Sequence, residues 1–204
     1  MKTVILNLGF ALILLIIVNC GSVPPTFYYR IDYTMQEPST QNNNISPYTL
    51  GISQFTADIL YENDKIVYRR SPYEVQFYHY RRWVAPPKKI VTEKLLKQFR
   101  ASGEFQRVVS IPSTFKIDYI LKGRIQAFEE WDESSAWYGI VALEFQLQNP
   151  ETKEILWEKM ISEKTPAAKK EPVEVVKAIS ESLNKVVKKS IEEIKKKLKY
   201  SRNI

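Results

Sequence analysis

Reactive side chains are scarce in this sequence. It has one cysteine, Cys20, and one histidine, His79, in 204 residues. A lone cysteine makes no intramolecular disulfide even in an oxidising compartment. Six glycines, scattered singly, form no loop that cradles a phosphate. An enzyme needs a nucleophile with its base, paired acids or a metal cluster, and the chain is poor in each. With 44% apolar and 26% charged residues, it is neither collagen-like nor a long coiled coil, nor disordered throughout. One ordinary domain is expected.

The one long apolar run is N-terminal. After Lys2 it extends from Val4 to Val18, broken only by Asn7 and Gly9. As a helix it would reach about 22 Å at ~1.5 Å per residue, short of a hydrocarbon layer of ~30 Å, so a secretory signal over 1–19 is favoured over a span. Cys20 follows directly, in Leu15-Ile16-Ile17-Val18-Asn19-Cys20-Gly21, which resembles a bacterial lipoprotein signal. The resemblance implies acylation of Cys20. Each buried methylene contributes ~0.8 kcal/mol, so two or three acyl chains would hold a domain on a bilayer where one would not. Asn19 departs from the small residue usual before such a cysteine, and an ordinary signal peptide or an uncleaved anchor stand as alternatives. Gly21 is not the aspartate that commonly retains such proteins on the inner membrane, so the expected location is the outer membrane, lipid-anchored and facing the periplasm. Residues 20–26 read as a short tether and 27–200 as the domain.

The chain is basic. The 30 Lys and Arg residues less Lys2, against 23 acidic ones, leave the exported part at about +6. Export removes nucleic acid as a partner and leaves lipid phosphates, an acidic protein or solubility as the use of that charge.

Local patterns predict an α+β fold. Phe27 to Tyr33 is aromatic-rich and strand-like; Gln36 to Pro47 is polar, with the look of a mobile loop; Tyr48, Leu50 and Ile52 alternate as on a strand. Turns at Asn63-Asp64 and Ser71-Pro72 bound two strands, Ile66 to Arg70 and Tyr73 to Tyr78. Pro86-Pro87 opens a helix with Val91, Leu95 and Phe99 at every fourth position, and Gly103 stops it. Three strand-like runs follow, over 117–128, 136–147 and 154–161. A final helix from about Pro172 carries Val176, Ile179, Leu183, Val187, Ile191, Ile194 and Leu198. The expected architecture is a single antiparallel sheet with two helices packed on one face, a two-layer sandwich.

Three places hold candidate chemistry. His79, in Phe77-Tyr78-His79-Tyr80, has no evident catalytic partner and is expected to pack. The acidic cluster Glu129-Glu130-Trp131-Asp132-Glu133 lacks the glycine-punctuated loop of a calcium site and is expected to be a solvated hairpin tip. Between Tyr68 and Lys89 the chain interleaves arginines and lysines with Tyr73, Tyr78, Tyr80 and Trp83, the residue types that anchor interfaces. They can equally line a core and its rim. The lysines at 195–197 and 199 suit the negative end of the last helix.

The stretch from Tyr68 to Pro87, YRRSPYEVQFYHYRRWVAPP, resembles the signature of the ABC-type transport auxiliary lipoproteins, the PqiC-like family. Arg100-Ala101-Ser102-Gly103, Asp118 to Ile125 with Phe128-Glu129-Glu130, and Leu156-Trp157 fit in order. The resemblance implies a noncatalytic lipoprotein without a cofactor or metal, on the periplasmic side of the outer membrane. It would serve an ABC permease and ATPase and a conduit-forming MCE-domain protein that move lipid or other hydrophobic substrates. Tyr80, Arg81, Arg82 and Trp83 are the expected partner-binding residues. The alternative is a structural or regulatory lipoprotein, such as an LptE-like assembly partner of an outer-membrane β-barrel.

Overall fold

Proline and glycine set the shorter helix. The computed structural model describes residues 23–34 and 45–201; the signal segment, Cys20 and most of the loop over 36–47 lie outside the described residues. Helix α1, Pro87–Ala101, begins at Pro86-Pro87, where a missing N–H costs nothing. It ends through the Ser102 N–H on Gln98 O (2.9 Å), after which Gly103 takes a φ of 64°, open to glycine without strain. Helix α2, Pro172–Ser201, buries the expected stripe from Val176 to Leu198.

Nine strands form one sheet among the described residues: β1 Phe27–Tyr29, β2 Ser46–Ile52, β3 Thr56–Ala57, β4 Lys65–Ser71, β5 Glu74–Trp83, β6 Phe105–Ser110, β7 Tyr119–Asp132, β8 Trp137–Gln148 and β9 Ile155–Pro166. Long strand β7 is its spine. Along one edge it pairs antiparallel with β8, which pairs antiparallel with β9. Along the other it meets β2, β3 and β4 in succession, all parallel. β2 continues to β6, and β4 continues through β5 to β1.

The α+β class is as expected, but the sheet is mixed, not antiparallel. Only β4–β5 and β7–β8–β9 are joined by short turns that force antiparallel pairing. β2 reaches its parallel neighbour β6 through intervening elements that include α1, a crossover long enough to bring the chain back in the same direction. Leu50 then pairs with Tyr119, far along the chain.

The core lies between sheet and helices. Leu121, Ile125 and Phe128 of β7 join Val141, Leu143, Phe145 and Leu147 of β8, the alternation read from sequence, beneath Ile179, Leu183 and Val187 of α2. Each such side chain contributes roughly 1.5–3 kcal/mol when fully buried. α2 crosses β8 and β9, while α1 packs on β6. The helices meet where Gln98 Nε2 donates to Asn184 Oδ1 (2.9 Å) and Tyr33 Oη donates to Gln98 Oε1 (2.8 Å). At Gly123 a side chain is excluded, because a Cβ there would lie 2.2 Å from the Phe55 ring.

Candidate docking surface

The segment from Tyr80 to Trp83 ends β5, and its geometry follows from an irregularity in the β4–β5 hairpin. Val67 pairs with Phe77, yet Lys65 pairs with Arg82, so β5 carries extra residues between these points. A bulge of this kind breaks the inward–outward alternation and re-aims side chains. Tyr80 faces outward, 42% exposed. Arg81 turns its guanidinium over the Tyr78 ring, 5.1 Å from the centroid, with Nε buried and without a hydrogen-bond partner. Arg82 is half-buried, its Nη1 donating to Asp64 Oδ1 at 2.9 Å.

Trp83 is fully buried. Its ring meets Phe128 edge-on at 5.1 Å, its backbone N–H donates to Asp64 O (2.8 Å), and its indole Nε1 is buried without a hydrogen-bond partner. It offers no surface to a partner and serves as the footing that fixes the end of β5 to the core. His79, expected to pack, is exposed, its ring 6.4 Å from that of Tyr80. A groove of about 490 Å³ beside β5 is lined by Lys65, Tyr68, Phe77, His79 and Arg82 among others.

The first described strand lies against this segment. β1 runs parallel to β5 with Phe27 beside Arg81, Tyr28 beside Arg82 and Tyr29 beside Trp83. The Val84 N–H donates to Tyr29 O (2.9 Å), extending the pairing past the strand end.

The acidic cluster overturns the hairpin-tip expectation. Strand β7 runs on through Asp132, and Glu129, Glu130 and Asp132 are buried within it. Alternation sends Glu129 and Glu130 to opposite faces. Glu129 accepts from Tyr61 Oη (2.5 Å) and Arg69 Nε (2.9 Å), and Arg69 Nη2 completes a two-pronged ion pair. Burial, then the Glu129 charge, hold the Tyr61 phenol protonated well above its ordinary range. Glu130 accepts from Tyr78 Oη at 3.0 Å and shares a hydrogen bond with Asp132. Burial chiefly, with Asp132 reinforcing it, pushes the Glu130 carboxyl up to about 8, against the opposing pull of Tyr78 and Arg81. The Glu130 carboxyl thus keeps its proton near neutral pH. Asp132 Oδ2 lies 3.5 Å from Arg70 Nε, while its Oδ1 is buried and unpaired.

Glu130 itself lines neither the groove beside β5 nor the smaller one at Arg70, Asp132 and Trp137, although its partners Tyr78 and Asp132 do. Among the described residues no group of three or more His, Cys, Asp or Glu side chains could hold a metal ion, and no helix is long and apolar enough to cross a membrane. The sequence reading missed these buried carboxylates. Their partners Tyr61, Arg69 and Tyr78 lie on separate elements, and the one local sign was Arg69 directly after the apolar run Ile66-Val67-Tyr68.

A mixed-sheet α+β domain presenting aromatic and arginine side chains along a sheet edge has the chemistry of an interface. The family model described as ABC-type transport auxiliary lipoprotein component matches residues 29–189, and the chain belongs to that family. A search of curated proteins finds no match. Among solved structures, a protein from Xanthomonas campestris is similar with a TM-score of 0.76 at 17% identity, covering 87% of this chain and 100% of its own. A second, an uncharacterized protein, gives 0.67 at 13% identity, covering 84% and 99%. At such identities the likeness concerns the fold.

Proposed function

We propose that this chain is a noncatalytic adaptor of an ABC transport system of the MCE type, which moves lipids or other hydrophobic substrates between membranes. Acylated Cys20 fastens it to the periplasmic face of the outer membrane. The end of β5, with Tyr80 outward and Arg81 and Arg82 beside it, docks a transporter component. Family membership supports the transport role. The observation that carries the docking surface is the bulge that turns Tyr80 out of the sheet while Trp83 fixes the strand beneath it. Aromatic and arginine side chains on a rigid strand lose little freedom on binding and are frequent interface anchors.

Affinity capture of the full-length protein from solubilised membranes tests this reading. The wild type is expected to bring down a permease, an ATPase and an MCE-domain protein. Tyr80→Ala and Arg81→Glu are expected to weaken that capture while the far-ultraviolet circular dichroism stays unchanged. Undiminished capture by both folded variants would remove the docking surface, and recovery of an outer-membrane β-barrel in place of ABC components would remove the transport role.

A further inference from the structure

Side chains that folded proteins usually bury are exposed next to the tether. Phe27 is 54% exposed and Tyr28 64%, with Val23 before them open to solvent. Val84, bonded through its N–H to Tyr29, is exposed as well. β1 is an edge strand, so its outer side has no neighbouring strand among the described residues. The register gives each aromatic an arginine neighbour, Arg81 for Phe27 and Arg82 for Tyr28.

The lipid–water boundary accepts this combination. Aromatic rings settle at headgroup level, and the guanidiniums of Arg81 and Arg82, held over the Tyr78 ring and on Asp64, place positive charge beside them. A protein partner would accept the same side chains, but position favours lipid. Phe27 lies seven residues beyond Cys20, and a chain of that length spans about 25 Å at most when extended. With Cys20 acylated, β1 therefore stays within reach of the headgroups, and tethering raises its effective concentration there to roughly the millimolar range. The basic excess of the domain complements anionic lipid.

We infer that the β1 edge, through Val23, Phe27, Tyr28 and Val84, rests in the headgroup layer of the membrane that holds the anchor. This contact fixes the domain's orientation and sets the Tyr80–Arg82 segment at the bilayer surface. The inference rests on the Cys20 anchor of the preceding section.

Full-length protein reconstituted into vesicles of phosphatidylethanolamine and phosphatidylglycerol provides the test. A nitroxide is placed at Tyr28→Cys, at Phe27→Cys in a second variant, and at Met160→Cys on the exposed surface of the distant edge strand β9 as reference. The labels at 28 and 27 are expected to collide several-fold more with oxygen, relative to a water-soluble nickel chelate, than the label at 160. Equal ratios at all three positions in protein shown by intact mass to be acylated would overturn this inference and leave the docking reading standing. Shielding of 27 and 28 from both reagents would assign the edge to a protein and overturn it too. An unacylated Cys20 would remove the anchor and the inference together.

Discussion

Glu130 of β7 stands in register with Gly139 of β8, so the buried carboxyl has no side chain beside it from that strand. Helix α2 takes the space. A Cβ on Gly139 would lie 2.3 Å from Ile179 N and 2.6 Å from the Ala178 carbonyl carbon, and Ser182 Oγ donates to Gly139 O at 2.9 Å. Backbone stands on both sides of this contact, so neither side yields as a flexible side chain would. Gly139→Ala should cost at least roughly 1–3 kcal/mol, the usual penalty of overpacking, read as a lowered urea midpoint.

Stability should fall as pH rises across the neutral range, and Glu130 is the reason. Its folded-state carboxyl titrates near 8 and its unfolded-state one near the ordinary 4.5. Between those values the folded chain binds more protons than the unfolded one. The contribution is therefore complete below pH 4.5 and lost as pH passes 8. Glu130→Gln, uncharged at every pH, should remove roughly 2–4 kcal/mol of that pH dependence. Thermal midpoints from pH 5 to pH 8 in both proteins check this, the variant giving the flatter profile.

On the other face of β7, Arg69 neutralises the fully buried Glu129. Arg69→Leu strands that charge and should cost roughly 2–4 kcal/mol, somewhat under the range for an enclosed pair because the guanidinium keeps part of its surface in water. Arg124→Leu, which breaks a half-exposed pair with Asp58 at 3.5 Å, should cost no more than about 1 kcal/mol. Adding Glu129→Gln to Arg69→Leu should recover part of the loss, a coupling that a double-mutant cycle measures.

Two residues of the β5 end should separate stability from docking. Trp83→Ala opens a cavity beside Phe128 and should cost roughly 3–5 kcal/mol. Tyr80→Ala removes an exposed ring and should change stability by no more than about 0.5 kcal/mol. Chemical denaturation of both variants tests the division.

Much of this architecture was legible in the residues because it depends on local rules. The stripe of α2, the proline-led start and glycine stop of α1, and the alternation of β8 each require only neighbours within a turn or a strand. The direction of pairing was not legible. Whether β2 lies beside β6 and β7, or beside a hairpin partner, is decided by the crossover through α1, and Leu50 and Tyr119 share no local signal. The acidic run misled for a related reason. Five polar-rich positions look solvated until Tyr61, Arg69 and Tyr78, supplied by other elements, are counted as their partners. At the candidate surface, unbroken alternation from Tyr78, whose hydroxyl reaches buried Glu130, would put Tyr80 on the same inner face and Trp83 on the opposite one, and the extra residues between the paired ends of the hairpin reverse this.

Photo-crosslinking in intact cells tests the adaptor account most directly. A photoreactive amino acid replaces Tyr80 in one full-length variant and Met160 in another, and the adducts are identified by mass spectrometry. The account predicts an adduct with a component of the ABC system from position 80 and none with it from position 160. Adducts to an outer-membrane β-barrel from position 80, or the same transporter adduct from both positions, would contradict it.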